Sequence, residues 1–260
     1  AIQQKVSFPF TVTDLDEPFE SNLSVGFGRV DISPTESVPL RGYGYSSGRM
    51  STKIQDPLYA SCIALADSSG NTVLIYTVDL TNAFTEVTDA ARQQISQYTG
   101  IPVDAIMVSC THTHSAPDLL NLNEPSIPRY IEAFKGWMVE AAVAALEDLA
   151  PAQVYTTSTK TENLNFVKHY KMRDTKTGEI SCIGDQYGTE VGKLYMDHMT
   201  KADPTLHVVR FVREGGKDVV IANFRAHPIL TGGYKKYDLS SDYIGAFRMA
   251  LESMYDCNCV

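Results

Sequence analysis

The chain has 260 residues, of which 43% are hydrophobic and 20% charged, a balance that suits a folded domain with a substantial core. Its net charge is −9, and its basic residues gather no further than Lys235-Lys236 and the pair Arg210 and Arg213, which argues against an electrostatic grip on nucleic acid. No apolar stretch approaches the ~20 residues of a membrane span, and five scattered cysteines do not make a secreted disulfide framework.

Residues 1–23 are polar, carry Pro9 and Pro18, and end near the acidic run "DLDEPFE", which reads as an irregular arm ahead of a domain over residues 24–260. The first residue is Ala1 rather than Met, as in a processed product or a trimmed sequence, and a signal peptide already removed would leave no trace. "SVGFGRVDIS" alternates like a strand but is interrupted by glycines, and "PLRGYGYSSGR" is a Gly/Ser/Tyr-rich loop. The β-branched runs "LYASCIALAD" and "TVLIYTVDL", joined by the turn residues "SSGN", predict a hairpin. Residues 85–98 read as a helix with Thr85 as its N-cap and Gly100 as its stop. "DAIMVSC" is a buried strand, and the three- and four-residue steps Tyr130, Phe134, Met138, Ala141, Ala145 and Leu149 predict a long helix over 127–149, ended by Pro151.

A second hairpin turns at Gly215-Gly216, and the last helix, over 242–255, is expected to bury Ile244, Phe247, Leu251 and Met254. Strands linked by both hairpins and helices give a mixed α/β sheet system. The ending "YDCNCV" looks like the opening of another strand, so a longer protein is expected. Cys257 and Cys259 lack the second pair that a zinc ribbon needs, and all five cysteines read as buried or incidental thiols.

The chemistry concentrates at "SCTHTHSAPDLL". If extended structure continues past Cys110, His112 and His114 project from one face and suit one metal ion, or one imidazole on the metal and one beside it. Chance supplies such a pair often enough that a solvated turn with one capping histidine stays open. "NFRAHPILTGG" repeats the pattern, placing His227 just beyond a strand, and zinc sites are assembled from three or four such ligands. Nearby carboxylates are Asp118, Asp238 and Asp242, the last at the start of a helix where an acid stabilises the N-terminus. Asp79 is placed either to hold a histidine's second nitrogen or to serve the structure. Lys168 and His169, in "NFVKHYKMRD", either assist substrate or oxyanion binding or belong to a solvated strand, and His198 and His207 read as structural.

Taken in order, "VGFGRVDISP", "RGYGY", "VSCTHTHSAPD", "NLNF" followed by "KHYKMRD", and "NFRAHP" followed by "LSSDYIGAFRMALE" resemble the catalytic domain of the neutral/alkaline non-lysosomal ceramidase family, in its bacterial ceramidase-like branch. The resemblance implies two packed β-sheets with helices outside, incomplete at the C-terminus. It implies one Zn2+ on His112 and His227, completed by a glutamate and a tyrosine further along, with His114 lining the site and aiding catalysis. Two departures mark this chain: Ala116-Pro117-Asp118-Leu119 stands where the ceramide hydrolases carry Gly-Pro-Gly-Gly, and Asn165-Phe166-Val167-Lys168 where they carry an arginine.

The implied activity is zinc-assisted hydrolysis of an N-acyl amide, with a small-molecule or lipid substrate. A metal-dependent esterase or phosphatase on the same histidines is the rival enzyme, and an inactive structural or binding piece lacking the downstream ligands is the rival of another class. The resemblance favours a secreted or cell-envelope protein, with the cytoplasm open, and nothing in the sequence fixes the oligomeric state.

Overall fold

The computed structural model describes residues 19–43, 48–184, 192–232 and 236–260. Most of the expected arm, the tip of the "RGYGYSSGR" loop and Lys235 lie outside the described residues. In chain order the elements are β1 (Phe19–Asp31), β2 (Lys53–Ile54), β3 (Tyr59–Ala66), β4 (Thr72–Val78), α1 (Thr85–Thr99), β5 (Ile106–Cys110), α2 (Ser126–Glu147) and β6 (Ala150–Lys160). They continue with β7 (His169–Asp174), β8 (Ile180–Gly184), β9 (Lys193–His198), β10 (Thr205–Arg213), β11 (Asp218–Asn223), β12 (Asp238–Leu239), α3 (Asp242–Met254) and β13 (Cys257–Cys259).

Eight strands form one sheet in the order β13-β11-β10-β6-β1-β3-β4-β5. Its β4–β5 and β11–β13 pairs are parallel and linked through α1 and α3, while the other pairings are antiparallel. A three-stranded sheet, β8-β7-β9, and the short β12-β2 pair complete the architecture. The mixed α/β class with several sheets is as expected.

Alternation along β1 explains its glycines. Val25 and Phe27 face a cluster with Ile63, Phe211 and Val219, while Gly26 and Gly28 face α2. A β-carbon at Gly26 would overlap the Ala145 carbonyl oxygen, and one at Gly28 the Ala141 carbonyl oxygen, so the helix rests directly on the strand backbone. The larger core lies between α1, α2 and the sheet, with Tyr76, Phe134, Leu74 and Ile95 fully buried. Two phenols in that core donate to backbone carbonyls, Tyr76 to Met138 at 2.6 Å and Tyr130 to Ile32 at 2.8 Å, which is what makes their burial tolerable.

Four expectations are corrected. Thr85 is the first helical residue rather than the cap, and Phe84 precedes it with no side-chain cap. β1 begins at Phe19, within the stretch read as arm. α2 ends at Glu147, and Pro151 lies in β6 opposite Ser24. Met254 is 64% exposed, while α3 instead buries Asp242 and Arg248, because the carboxylate of Asp79 meets the guanidinium at 2.6 Å. All five cysteines are free; Cys62, Cys257 and Cys259 are buried and Cys182 is exposed. No helix among the described residues is long and apolar enough to cross a membrane.

The close approach of α2 to β1 gives a direct expectation. Gly28→Ala should destabilise the fold by about 1–3 kcal/mol through overpacking, read as a lowered urea midpoint at unchanged slope, whereas Gly136→Ala, in α2 with open space around it, should not.

Candidate metal centre

β5 does not continue as a strand to His114. It stops at Cys110, and His112 takes the left-handed conformation with φ 67°, a strained state for a residue with a β-carbon. The chain is held there by bonds that extend the β4–β5 pairing: Thr111 N–H donates to the Val78 carbonyl at 2.9 Å and His112 N–H to the Leu80 carbonyl at 3.0 Å. The two histidines therefore meet through a backbone reversal rather than through strand alternation.

His112 Nδ1 lies 2.6 Å from the Thr81 carbonyl oxygen, which can only accept. Nδ1 thus carries the proton, and Nε2 presents a lone pair to the site. His114 is placed by its own N–H, which donates to the Pro228 carbonyl at 3.3 Å, next to His227. Gly42 backs its ring so closely that a β-carbon would stand 2.5 Å from His114 Nδ1. Tyr43 meets the same ring edge-on, with centroids 5.3 Å apart.

The three imidazoles converge. His114 Nε2 lies 2.9 Å from His227 Nε2 and 3.4 Å from His112 Nε2, and one nitrogen from each ring falls within 4.8 Å of the others. His112 and His227 stack with centroids 5.1 Å apart, and the His114 ring stands across both. His112 and His227 are exposed and His114 half-buried, so solvent reaches the convergence point. Two nitrogen ligands of a tetrahedral zinc ion stand about 3.4 Å apart, so the spacing is one that a single ion bridges.

The tautomer of His114 follows from its surroundings. Its Nδ1 is buried without a partner. An orphaned donor is costlier and rarer than an orphaned acceptor, so the proton sits on Nε2. That N–H is then the hydrogen between His114 and His227. Burial, and after it the neighbouring His227, His112 and Arg49, push the His114 pKa down to about 4, which keeps the ring neutral at pH 7.

The carboxylates near the histidines in sequence are spent elsewhere. Asp79 accepts from Tyr59 N at 2.9 Å and Arg248 Nη2 at 2.6 Å, so the atom holding His112 is the Thr81 carbonyl and not this carboxylate. Asp118 accepts from Arg41 Nη1 at 3.4 Å, and Asp238 lies 3.6 Å from Lys53 Nζ. Asp242, at φ 59°, accepts from Thr231 N and Oγ1, each at 2.9 Å, and from the adjacent Tyr243 N–H at 2.7 Å. Its carboxylate thus fixes the loop that follows His227. Below the site the bonding runs on through buried hydroxyls, Ser115 to Thr231 at 2.7 Å and Thr113 to the Ser240 carbonyl at 2.7 Å.

His169 is not one of the three converging histidines. His169 opens β7 in the three-stranded sheet, where its Nε2 meets Cys182 Sγ on β8 at 2.7 Å. His198 Nδ1–H donates to the Val167 carbonyl at 2.8 Å, and His207 pairs with Asn223 across β10 and β11. Sequence reasoning missed Thr81, whose contribution is a backbone atom that no residue pattern reveals. It also missed Gly42, Tyr43 and Arg49, although the stretch that carries them was legible as a Gly/Ser/Tyr-rich loop.

No family model matches the chain, and no curated protein matches it. Among solved structures it is similar to the neutral ceramidase of Pseudomonas aeruginosa, with a TM-score of 0.65 and 20% identity over 90% of this chain and 36% of that one. It is also similar to a ceramidase complexed with C2, with a TM-score of 0.69 and 19% identity over 93% of this chain and 37% of that one. The chain thus spans little more than a third of the length of these ceramidases, and it shares their fold over that third. The resemblance read from the motifs is borne out at the level of the fold.

A neutral histidine at about pKa 4 ties stability to pH. Between that value and the ordinary 6.5 the unfolded chain binds a proton that the folded chain refuses, so stability falls as the pH drops through this window. With solvent screening of a half-buried ring, the loss between pH 7 and pH 4 is about 1–2 kcal/mol. Urea titrations in chelator should show it as a wild-type deficit that shrinks in His114→Gln.

Proposed function

We propose that the chain carries the histidine half of the active site of a zinc-dependent hydrolase that cleaves N-acyl amides of the ceramide type. The observation that carries this reading is the convergence of the His112, His114 and His227 side chains on one solvent-reached point, in a fold shared with two ceramidases. The neighbours supply the reaction class by their names, and the residues here supply the parts.

His112 and His227 are assigned to the ion. The Thr81 carbonyl fixes the His112 tautomer with the Nε2 lone pair outward, as a nitrogen ligand requires. Zinc supplies Lewis acidity for an acyl carbonyl and a nucleophile at neutral pH. An amide is a poor electrophile, and this is the assistance it needs. His114 is assigned to the substrate. Its Nε2–H donates to the acyl oxygen as negative charge gathers there, and because the ring is neutral it does so without repelling the cation beside it. The lone pair on the same nitrogen cannot also bind metal while the proton is in place, so the two roles separate by tautomer.

The left-handed backbone at His112 and the packing of Gly42 behind His114 hold these rings before substrate arrives. That is the preorganisation on which electrostatic catalysis depends. Lys168 and His169, at the start of β7, are assigned to substrate or oxyanion binding beside the three rings. The substrate class is a lipid or small N-acyl amide. The residues at 116–119 that depart from the ceramide hydrolases adjoin the site, since Leu40 pairs with Pro117 in an isolated bridge two residues from Gly42.

The test uses the protein in its full natural length. His112→Ala and His227→Ala should each release zinc, measured by metal analysis after dialysis, and abolish amide hydrolysis together with it. His114→Gln should retain zinc within a few-fold while losing about 100–1,000-fold in turnover, the scale of one lost oxyanion donor. Retention of both zinc and activity by His112→Ala would overturn the assignment, and turnover of esters or phosphates but not N-acyl amides would overturn the substrate class.

A further inference from the structure

Three arginines among the described residues are buried: Arg49 at 6% exposure, Arg213 at 8% and Arg248 at 4%. Two of them are paired with carboxylates, Arg213 with Asp148 and Arg248 with Asp79. Arg49 differs. Its four hydrogen bonds all go to backbone carbonyls: Nε to Lys236 at 2.8 Å, Nη1 to Arg41 at 3.3 Å and Gly42 at 3.1 Å, and Nη2 to His114 at 3.1 Å. A buried charge facing neutral acceptors carries a desolvation penalty that an ion pair would reduce. The face of Tyr43, whose centroid is 4.8 Å from the guanidinium carbon, offsets part of it.

The carbonyls it gathers come from three distant stretches of chain. Gly42 is the residue packed against the His114 ring, Tyr43 is the aromatic set edge-on to that ring, and Tyr43 Oη in turn donates to the Ile229 carbonyl at 3.2 Å, two residues beyond His227. One rigid fork therefore holds the backbone of His114, the glycine behind its ring and the tyrosine that links the ring to the His227 loop. A flexible ammonium has neither the number of donors nor the fixed directions to do this.

We infer that Arg49 is a positioning residue for the histidine site: through the His114 backbone, which donates to Pro228, and through Tyr43, which donates to Ile229, it fixes the segment carrying His227, and through that ligand the ion's affinity. This rests on the metal reading proposed above. It extends that reading to a residue that touches neither ion nor substrate.

The test is zinc affinity by competition with a chromophoric chelator, together with the visible spectrum of the Co2+-loaded protein, on wild type, Arg49→Lys and Arg49→Met. Arg129→Met, on the exposed pair with Glu36, serves as the surface control. Wild type and Arg129→Met should bind alike. Arg49→Met should bind at least 10-fold more weakly with an altered Co2+ spectrum, and Arg49→Lys should fall between, because it keeps the charge and loses the fork. Melting temperatures identify any variant that has unfolded. If Arg49→Met does not fold, Arg49→Lys decides. Wild-type affinity and an unchanged spectrum in a folded Arg49 variant would overturn the inference. Failure of wild type itself to bind zinc would overturn the metal reading instead.

Discussion

The bond from His112 to the Thr81 carbonyl is the constraint on which the site is built. A carbonyl has no proton to give, so it decides which imidazole nitrogen faces outward, and a left-handed backbone at the same residue decides where that nitrogen points. Both depend on the parallel pairing of β4 and β5, which continues past the strands as the bonds from Thr111 and His112 to Val78 and Leu80. Asp79 anchors the segment from beneath by accepting from Tyr59 and Arg248. Burial pushes the Asp79 carboxyl up while Arg248 pulls it down, so the pair stays useful only while both partners are present. The strain at His112 is tolerated because its neighbours on both sides are already fixed.

The other half of the site is organised by polar groups that are buried and satisfied by one another. Thr231 donates twice to Asp242 and accepts from the Ser115 hydroxyl, Thr113 donates to Ser240, and Ser240 and Ser241 both donate to Asp56. Each bond contributes modestly, about 1 kcal/mol net, yet removing one partner strands another in the interior at greater cost. A network of this kind gives the loops around His114 and His227 a single arrangement, which is what a site tolerating little displacement needs.

Much of the scaffold was legible in the sequence, and for physical reasons. The two hairpins announce themselves by β-branched runs around "SSGN" and "EGGK", and α2 by apolar residues at helical spacing. Errors fall where tertiary contacts outrank local preference. Met254 looks like a core residue but stands exposed, because α3 uses its inner face to deliver Arg248 to Asp79. The glycines of β1 looked like interruptions in a strand and are the bed on which α2 lies. At the site, the histidines were visible by type and spacing. The geometry joining them was not, because left-handed His112, the Thr81 carbonyl and the fork of Arg49 are backbone relations between segments far apart in the chain.

That separation carries a consequence for how the protein forms. His112 is oriented by the parallel β4–β5 pair, whereas His227 follows β6, β10 and β11 in the chain. Non-local pairings of this sort are late and slow steps in folding. A chain emerging during synthesis therefore carries His112 and His114 well before His227, and the three imidazoles can meet only after the strands between them have been made.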